Sequence, residues 1–146
     1  MAILLPDRGQ KFGQQFTINI SIFIKKGDGL ILVTGKFEKS NKEDIIEQGD
    51  VVCTDENGLI KKIECESDLF RVVGIVSSEN NEKEIEIGLA GTILAKTKDK
   101  EIIAGDLLVA DMDSTVRVRN ANDEDIDVIG MAMKKPEHNK VLMKIK

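Results

Sequence analysis

"EQGDVVCTDENGLIKK", residues 47–62, and "IAGDLLVADMDSTVRV", residues 103–118, share one grammar: a Gly-Asp pair, an apolar run, an acidic turn and a second run. Setting residue n on residue n+56 extends the match over 47–90 and 103–146 without a gap. Gly49-Asp50 falls on Gly105-Asp106, Asp55 on Asp111, Val72 on Val128 and Gly74 on Gly130. The apolar positions follow, with Val51, Val52, Ile60 and Val73 on Leu107, Leu108, Val116 and Ile129, and Ile85, Ile87 and Leu89 on Val141, Met143 and Ile145. Few residues are identical; the matched ones are those that backbone geometry and core packing constrain most. Glycine reaches backbone conformations closed to other residues, and aspartate caps neighbouring amides. Gly49, Asp50, Asn57, Gly58, Gly74, Gly105, Asp106 and Gly130 are therefore assigned to structural turns, with Asn57-Gly58 suited to a type I′ hairpin.

Each copy reads as short strands joined by polar turns, and the rest of the chain adds more of the same. Phe16, Ile18, Ile20, Ile22 and Ile24 alternate with less apolar neighbours, which predicts a half-buried strand. "KKGDG" at 25–29 supplies turn residues before the β-branched run "LILVTGKF" at 30–37, so a hairpin is expected. "EKSNKEDIIEQ" is the one stretch able to form a turn or two of helix, with Ser40 or Asn41 as cap. Between the copies, "GLAGTILAKTKDKE" adds one further strand and turn. Short strands at regular spacing predict an all-β chain, a compact β-barrel or β-sandwich whose pseudo-duplicated units share one core. Residues 1–15, with Pro6, Gly9 and Gly13 as punctuation, form an extended N-terminal arm before a β domain over 16–146.

At 146 residues the chain has the length of one domain or two small lobes, and its core is aliphatic, since aromatics make up only 3%. A net charge of −5 supplies no basic field for a phosphate backbone and there is no Trp or Tyr to stack on bases, which argues against nucleic-acid binding. No stretch approaches the ~20 apolar residues that span a bilayer, and "MAILLPDRGQ" is too short in apolar residues for a secretory segment, so a soluble chain without export signal is expected. Cys53 and Cys65 have no cluster of Cys or His around them and are read as reduced thiols.

Candidate chemistry is sparse. His138, the single histidine, sits in the turn sequence "KKPEHNK" with no second ligand or nucleophile nearby in sequence. Neither "DMD" at 111–113 nor "NANDEDID" at 120–127 has the glycine and terminal glutamate of an EF-hand loop, and pairs such as Asp123 and Asp125 read as surface acids. "MAMKK" at 131–135 resembles the attachment sequence of biotinyl carrier domains, but only eleven residues follow Lys135, too few for the second half of such a domain. No catalytic role, metal or cofactor is assigned.

The order of Gly-Asp strand, Asp/Asn/Gly turn, basic strand, "VGIV" or "IGMA", polar turn and final "KVLMKI" resembles tailed-bacteriophage capsid decoration proteins, of the cement or head-fibre kind. It is also similar to β-rich C-terminal regions of phage tail fibres and spikes, where a "LAG" step like Leu89-Ala90-Gly91 precedes a stretch like Ile102–Leu108. The resemblance covers about residues 47–146. It implies a virion structural protein without catalysis, made in the bacterial host cytoplasm and carried on the capsid exterior. Its implied partners are the major capsid protein and further copies of itself, commonly as a trimer, with neither nucleic acid nor membrane involved. The alternative it leaves open is a tail fibre, spike or other surface-binding module. For capsid or subunit contact the expected residues are Leu4, Leu5, Arg8, Lys11 and Phe12 of the arm, continued by Phe16.

Overall fold

Runs of Ile, Val and Leu alternating with polar residues bury one face of an extended chain, and twelve strands form among the described residues, whose helices are two short 3-10 segments of five and three residues. The computed structural model describes residues 2–5, 16–19, 21–25, 30–78 and 84–146. Strand β1 (Ala2–Leu5) pairs antiparallel with β2 (Phe16–Asn19), and β3 (Ser21–Lys25) with β4 (Leu30–Glu38). Then follow β5 (Val51–Thr54), β6 (Ile60–Lys62), β7 (Val72–Val76) and the long β8 (Glu84–Lys96). The chain closes with β9 (Leu107–Asp111), β10 (Thr115–Val118), β11 (Val128–Ala132) and β12 (Lys140–Ile145). One curled antiparallel sheet runs in the order β10-β9-β11-β12-β8-β7-β5-β6, with β4 also on β8. The chain is all-β.

The duplication holds in the backbone. Val52 opposes Lys62 and Gly74, while Leu108 opposes Val118 and Gly130. Ile75 opposes Gly88, and Met131 opposes Lys144. A bulge interrupts β5–β7 between Val52 and Cys53 and recurs in β9–β11 between Leu108 and Val109. Gly49 N–H donates to Val76 O at 2.9 Å and Gly105 N–H to Ala132 O at 2.8 Å, both glycines at φ +93°. Only in the acidic loops does the match slip by one residue: Lys61 pairs with Asp68, whereas its counterpart Arg117 pairs with Asp123.

The structure also lengthens the repeat. Glu38 opposes Glu84 as Lys96 opposes Lys140, so β4 is the counterpart of the second half of β8 at an offset of 58, two more than in the later strands. Each unit curls until this first strand meets its third through one parallel bridge, Lys39 to Ile60 and Thr97 to Val116. The segment read as a connector between copies is thus the opening strand of the second unit, and β8 serves both. Gly91, at φ +102°, is the junction: a Cβ there would collide with the Ile31 carbonyl of β4.

The two halves do not share a single core. Ile46, Val52, Ile60, Val76, Ile85 and Ile87 fill the first unit. Their counterparts Ile102, Leu108, Val116, Ala132, Val141 and Met143 fill the second, and this core continues through Val51, Cys53, Ile63 and Ile75 on the opposite face of β5–β7. The second unit therefore covers the back of the first.

Several expectations are corrected. The stretch 38–48 forms no helix; Lys39 Nζ instead binds the carbonyls of Lys42 (3.2 Å) and Asp44 (2.7 Å), and Asn41 Oδ1 accepts from Glu43 N–H at 3.0 Å, which ties the loop down locally. Within the strand expected from Phe16 to Ile24, the described segments β2 and β3 pair with different partners. Gly74 and Gly130 lie inside β7 and β11 beside the bulges, not in turns; their role is close approach, since a Cβ would come 2.8 Å from Gly88 O in one and 2.5 Å from Lys144 O in the other. The turn at 55–58 is not type I′. Asp55 Oδ1 accepts from Asn57 N–H (2.8 Å) and Leu59 N–H (3.0 Å), and Gly58 alone takes positive φ (+80°). The type I′ geometry appears instead at His138-Asn139, at φ +52° and +61° between the bridged Glu137 and Lys140.

Candidate functional site

Where the second unit sits on the first, a cleft of about 510 Å³ opens between the start of β5, the end of β8 and the turn before β12. Lys62, Lys96, Lys98, Lys100 and Lys140 contribute to its wall, against Asp50 and Asp113. The floor is Asp50, 1% exposed, whose Oδ1 lies 2.8 Å from Lys96 Nζ and whose Oδ2 accepts from Glu47 N–H at 2.8 Å. Lys96 also meets Glu47 Oε2 at 2.7 Å. Burial works against the Lys96 ammonium, but its hydrogen bonds to Asp50 and Glu47 outweigh that and raise its pKa. Lys98 pairs with Asp113, and Lys62 stands 3.6 Å from Asp50. His138 lies at the rim, in its turn.

The turn assignments of Asp50 and Asp106 are both visible, since Asp106 Oδ2 accepts from Ile103 N–H at 2.9 Å as Asp50 does from Glu47. Only Asp50 carries the second task of holding Lys96. The acidic stretches are likewise engaged in structure: Asp111 Oδ1 accepts from Met112 N–H at 2.8 Å, and Arg117 grips Asp123 with two bonds of 2.6 and 2.7 Å. That grip and the Asn120 N–H bring the Asp123 carboxyl down to about 2. Burial alone would raise Asp68, but the Glu64 N–H, Lys61 and the Cys65 N–H bring it too down to about 2. The Cys53 thiol, inside β5, is pushed up to about 11 by burial, with the Asp68 charge adding to it, and so is held as an inert core group. Among the described residues no group of three or more His, Cys, Asp or Glu is arranged to hold a metal ion, and no helix is long and apolar enough to cross a membrane.

Of the expected contact residues, Leu4 and Leu5 lie in β1, where Leu5 opposes Phe16 of β2, while Arg8, Lys11 and Phe12 lie outside the described residues. The lysine cleft was missed because its cations come from three separate segments. The alternating Lys96, Lys98 and Lys100 of "KTKDK" are the signal that sequence offered, period two placing them along one side of an extended chain.

A second surface follows from the duplication. Val51 and Ile75, 0% and 2% exposed, are covered by the second unit; their counterparts Leu107 and Met131 oppose each other on β9 and β11 and are 44% and 38% exposed. Leu94 and Met133, also exposed, continue the same face, since Leu94 opposes Leu142 and Met133 N–H donates to Leu142 O. At Gly49 the Lys96 side chain stands 3.2 Å from where a Cβ would be, whereas at Gly105 nothing lies within 4 Å. The face that the first unit buries is bare in the second and keeps these apolar residues, with Lys144 opposite Met131 where the first unit has Gly88 opposite Ile75. Comparison with protein-family models, with curated proteins and with solved structures finds no match to this chain.

Proposed function

We propose that this chain is a structural binding protein that acts by association without catalysis, a decoration protein on the outside of a tailed-phage capsid. The family is suggested by the resemblance of its repeat; the mode of action is supported by one observation, the bare face of Leu94, Leu107, Met131 and Met133 on the second unit. Contiguous apolar surface of this kind on a small protein favours a partner. The partner on this face is the shell, not another copy stacked as the units are stacked within the chain. Such a copy would bring Glu38 to the place that Lys96 holds against Asp50, and so set like charges at Asp106. Contacts that must be broken before the shell opens stabilise it by mass action, and the N-terminal arm adds to them.

Co-sedimentation with cognate capsids stripped of their small surface proteins tests this. Wild-type protein is expected in the pellet at many copies per shell. The double variant Leu107→Glu/Met131→Glu, which alters only exposed side chains, and a deletion of residues 2–14 are expected in the supernatant with their circular dichroism otherwise intact. Wild type that stays in the supernatant, a variant that pellets like wild type, or attachment to tails or host cells in place of capsids overturns the proposal.

A further inference from the structure

The cleft lysines divide into two kinds. Lys96 is committed to Asp50 and Glu47 and Lys98 to Asp113, while Lys62 stands more loosely against Asp50 at 3.6 Å. The ammonium groups of Lys100 and Lys140 have no hydrogen bond or ion pair among the described residues, and the wall carries five lysines against two aspartates on a chain whose net charge is −5. A concentrated positive site on a negative protein is an electrostatic target for carboxylates. The densest exposed carboxylates of the described chain are in the loop between β10 and β11: Asp123 turns inward to Arg117, but Glu124, Asp125 and Asp127 are exposed and none of them meets a cleft lysine within the molecule. Thr115, at the start of β10, lines the cleft, and the loop leaves from Val118 at the other end of that strand.

We infer that the occupant of the cleft is the Glu124–Asp127 loop of a second copy of this chain, the acids of one protomer seated among Lys62, Lys100 and Lys140 of the next. The contact joins two different patches, so it is heterologous, and copies joined this way close into a ring or continue as a filament. It gives a physical basis to the oligomer that the capsid reading calls for and so rests on that reading in part. Its test needs no capsid, so either can fail while the other stands.

The experiment is sedimentation velocity on the purified full chain at about 50 mM and about 1 M salt, where the screening length falls from beyond 10 Å to about 3 Å. Wild type is expected as a closed oligomer or longer assembly at low salt and as monomer at high salt. Lys100→Glu/Lys140→Glu, with an acidic cleft and acidic loop, is expected to be monomeric at both, as is Glu124→Lys/Asp125→Lys, with a basic cleft and basic loop. Mixing the two variants is expected to restore assembly, because each cleft then meets a loop of opposite charge. Wild type that is monomeric at low salt, assembly that is indifferent to salt or to either swap, or a mixture that stays monomeric overturns the inference.

Discussion

Asp50 and Asp106 do the same local work, and Asp50 adds a close ion pair to Lys96 with Lys62 farther off at 3.6 Å, which makes them a matched pair for measuring what holds the two units together. Each accepts one backbone N–H in its Gly-Asp turn, at 2.8 and 2.9 Å. Asparagine keeps that acceptor, so Asp106→Asn is expected to cost about 0.5–1 kcal/mol, the loss of charge assistance in one bond. Asp50 is 1% exposed and lies 2.8 Å from Lys96 Nζ across the junction between units. Removing one partner of a buried pair costs about 3–5 kcal/mol. Lys96 is 26% exposed and keeps Glu47 at 2.7 Å, so part of that is recovered and about 2–3 kcal/mol is expected for Asp50→Asn. The difference between the variants, about 2 kcal/mol, corresponds to a urea midpoint lower by about 1 M for a slope near 2 kcal/mol/M. Far-ultraviolet circular dichroism reads the transition in a protein without Trp or Tyr. In a Lys96→Met background the cost of Asp50→Asn is expected to shrink or change sign. Equal costs for the two asparagine variants, or a cost for Asp50→Asn that Lys96→Met leaves untouched, would refute the assignment of this pair as the clasp between units.

Asp68 and Asp123 titrate at about 2 in the folded chain, below the ~3.9 of an unfolded aspartate, so their contribution is complete above about pH 4 and is lost as pH falls toward 2; the acid limb of a stability profile is expected to flatten in Asp68→Asn/Asp123→Asn. Gly130→Ala places a Cβ against Met143 Cε and 2.5 Å from Lys144 O, and is expected to lose about 2–3 kcal/mol in denaturant titration. Gly74→Ala, at 2.7 Å from Ile87 Cγ2 and 2.8 Å from Gly88 O, is expected to lose less, about 1–2 kcal/mol. Ser114→Ala strands the buried Ile63 N–H that donates to Ser114 Oγ at 2.9 Å and is expected to cost about 1–3 kcal/mol, with faster hydrogen exchange at that amide.

The strands were legible because burial on one face writes itself as period two, and the repeat was legible because Gly49, Gly74, Gly105 and Gly130 stand where no side chain fits the backbone or its neighbours. What escaped was that β4 and the second half of β8, each expected as a strand, are counterparts that open the two units. Their matched residues, such as Phe37 with Ala95 and Glu38 with Lys96, share neither size nor charge, and a two-residue difference in the following loop breaks the register that the later strands keep. Turn chemistry was legible in kind and not in type: Asn57-Gly58 permits a type I′ turn, but the Asp55 carboxylate gathers two amides and holds Asn57 out of the left-handed region. The cleft was illegible in the same sense as any site assembled by tertiary packing, since nothing local relates Lys62 to Lys140.

The differences between the copies disfavour between chains the stacking that the units make within one. The second unit seats on the first with Lys96, whose backbone N–H reaches Gly49 O at 2.8 Å and whose ammonium reaches Asp50, and with the Ser114 hydroxyl, which accepts from Ile63 N–H. At the corresponding places the first unit has Glu38 and Gly58, a wrong charge and a missing hydroxyl, while Arg119 stands where Ile63 would be. A first unit brought onto the bare face of another copy's second unit would find Gly105 and Leu107 ready, and would lack the cation, the acceptor and the buried isoleucine that complete the contact. Divergence at these few positions therefore works against runaway stacking while the exposed apolar positions of the face are retained. That combination is what a protein needs if the face is to be used on a different partner.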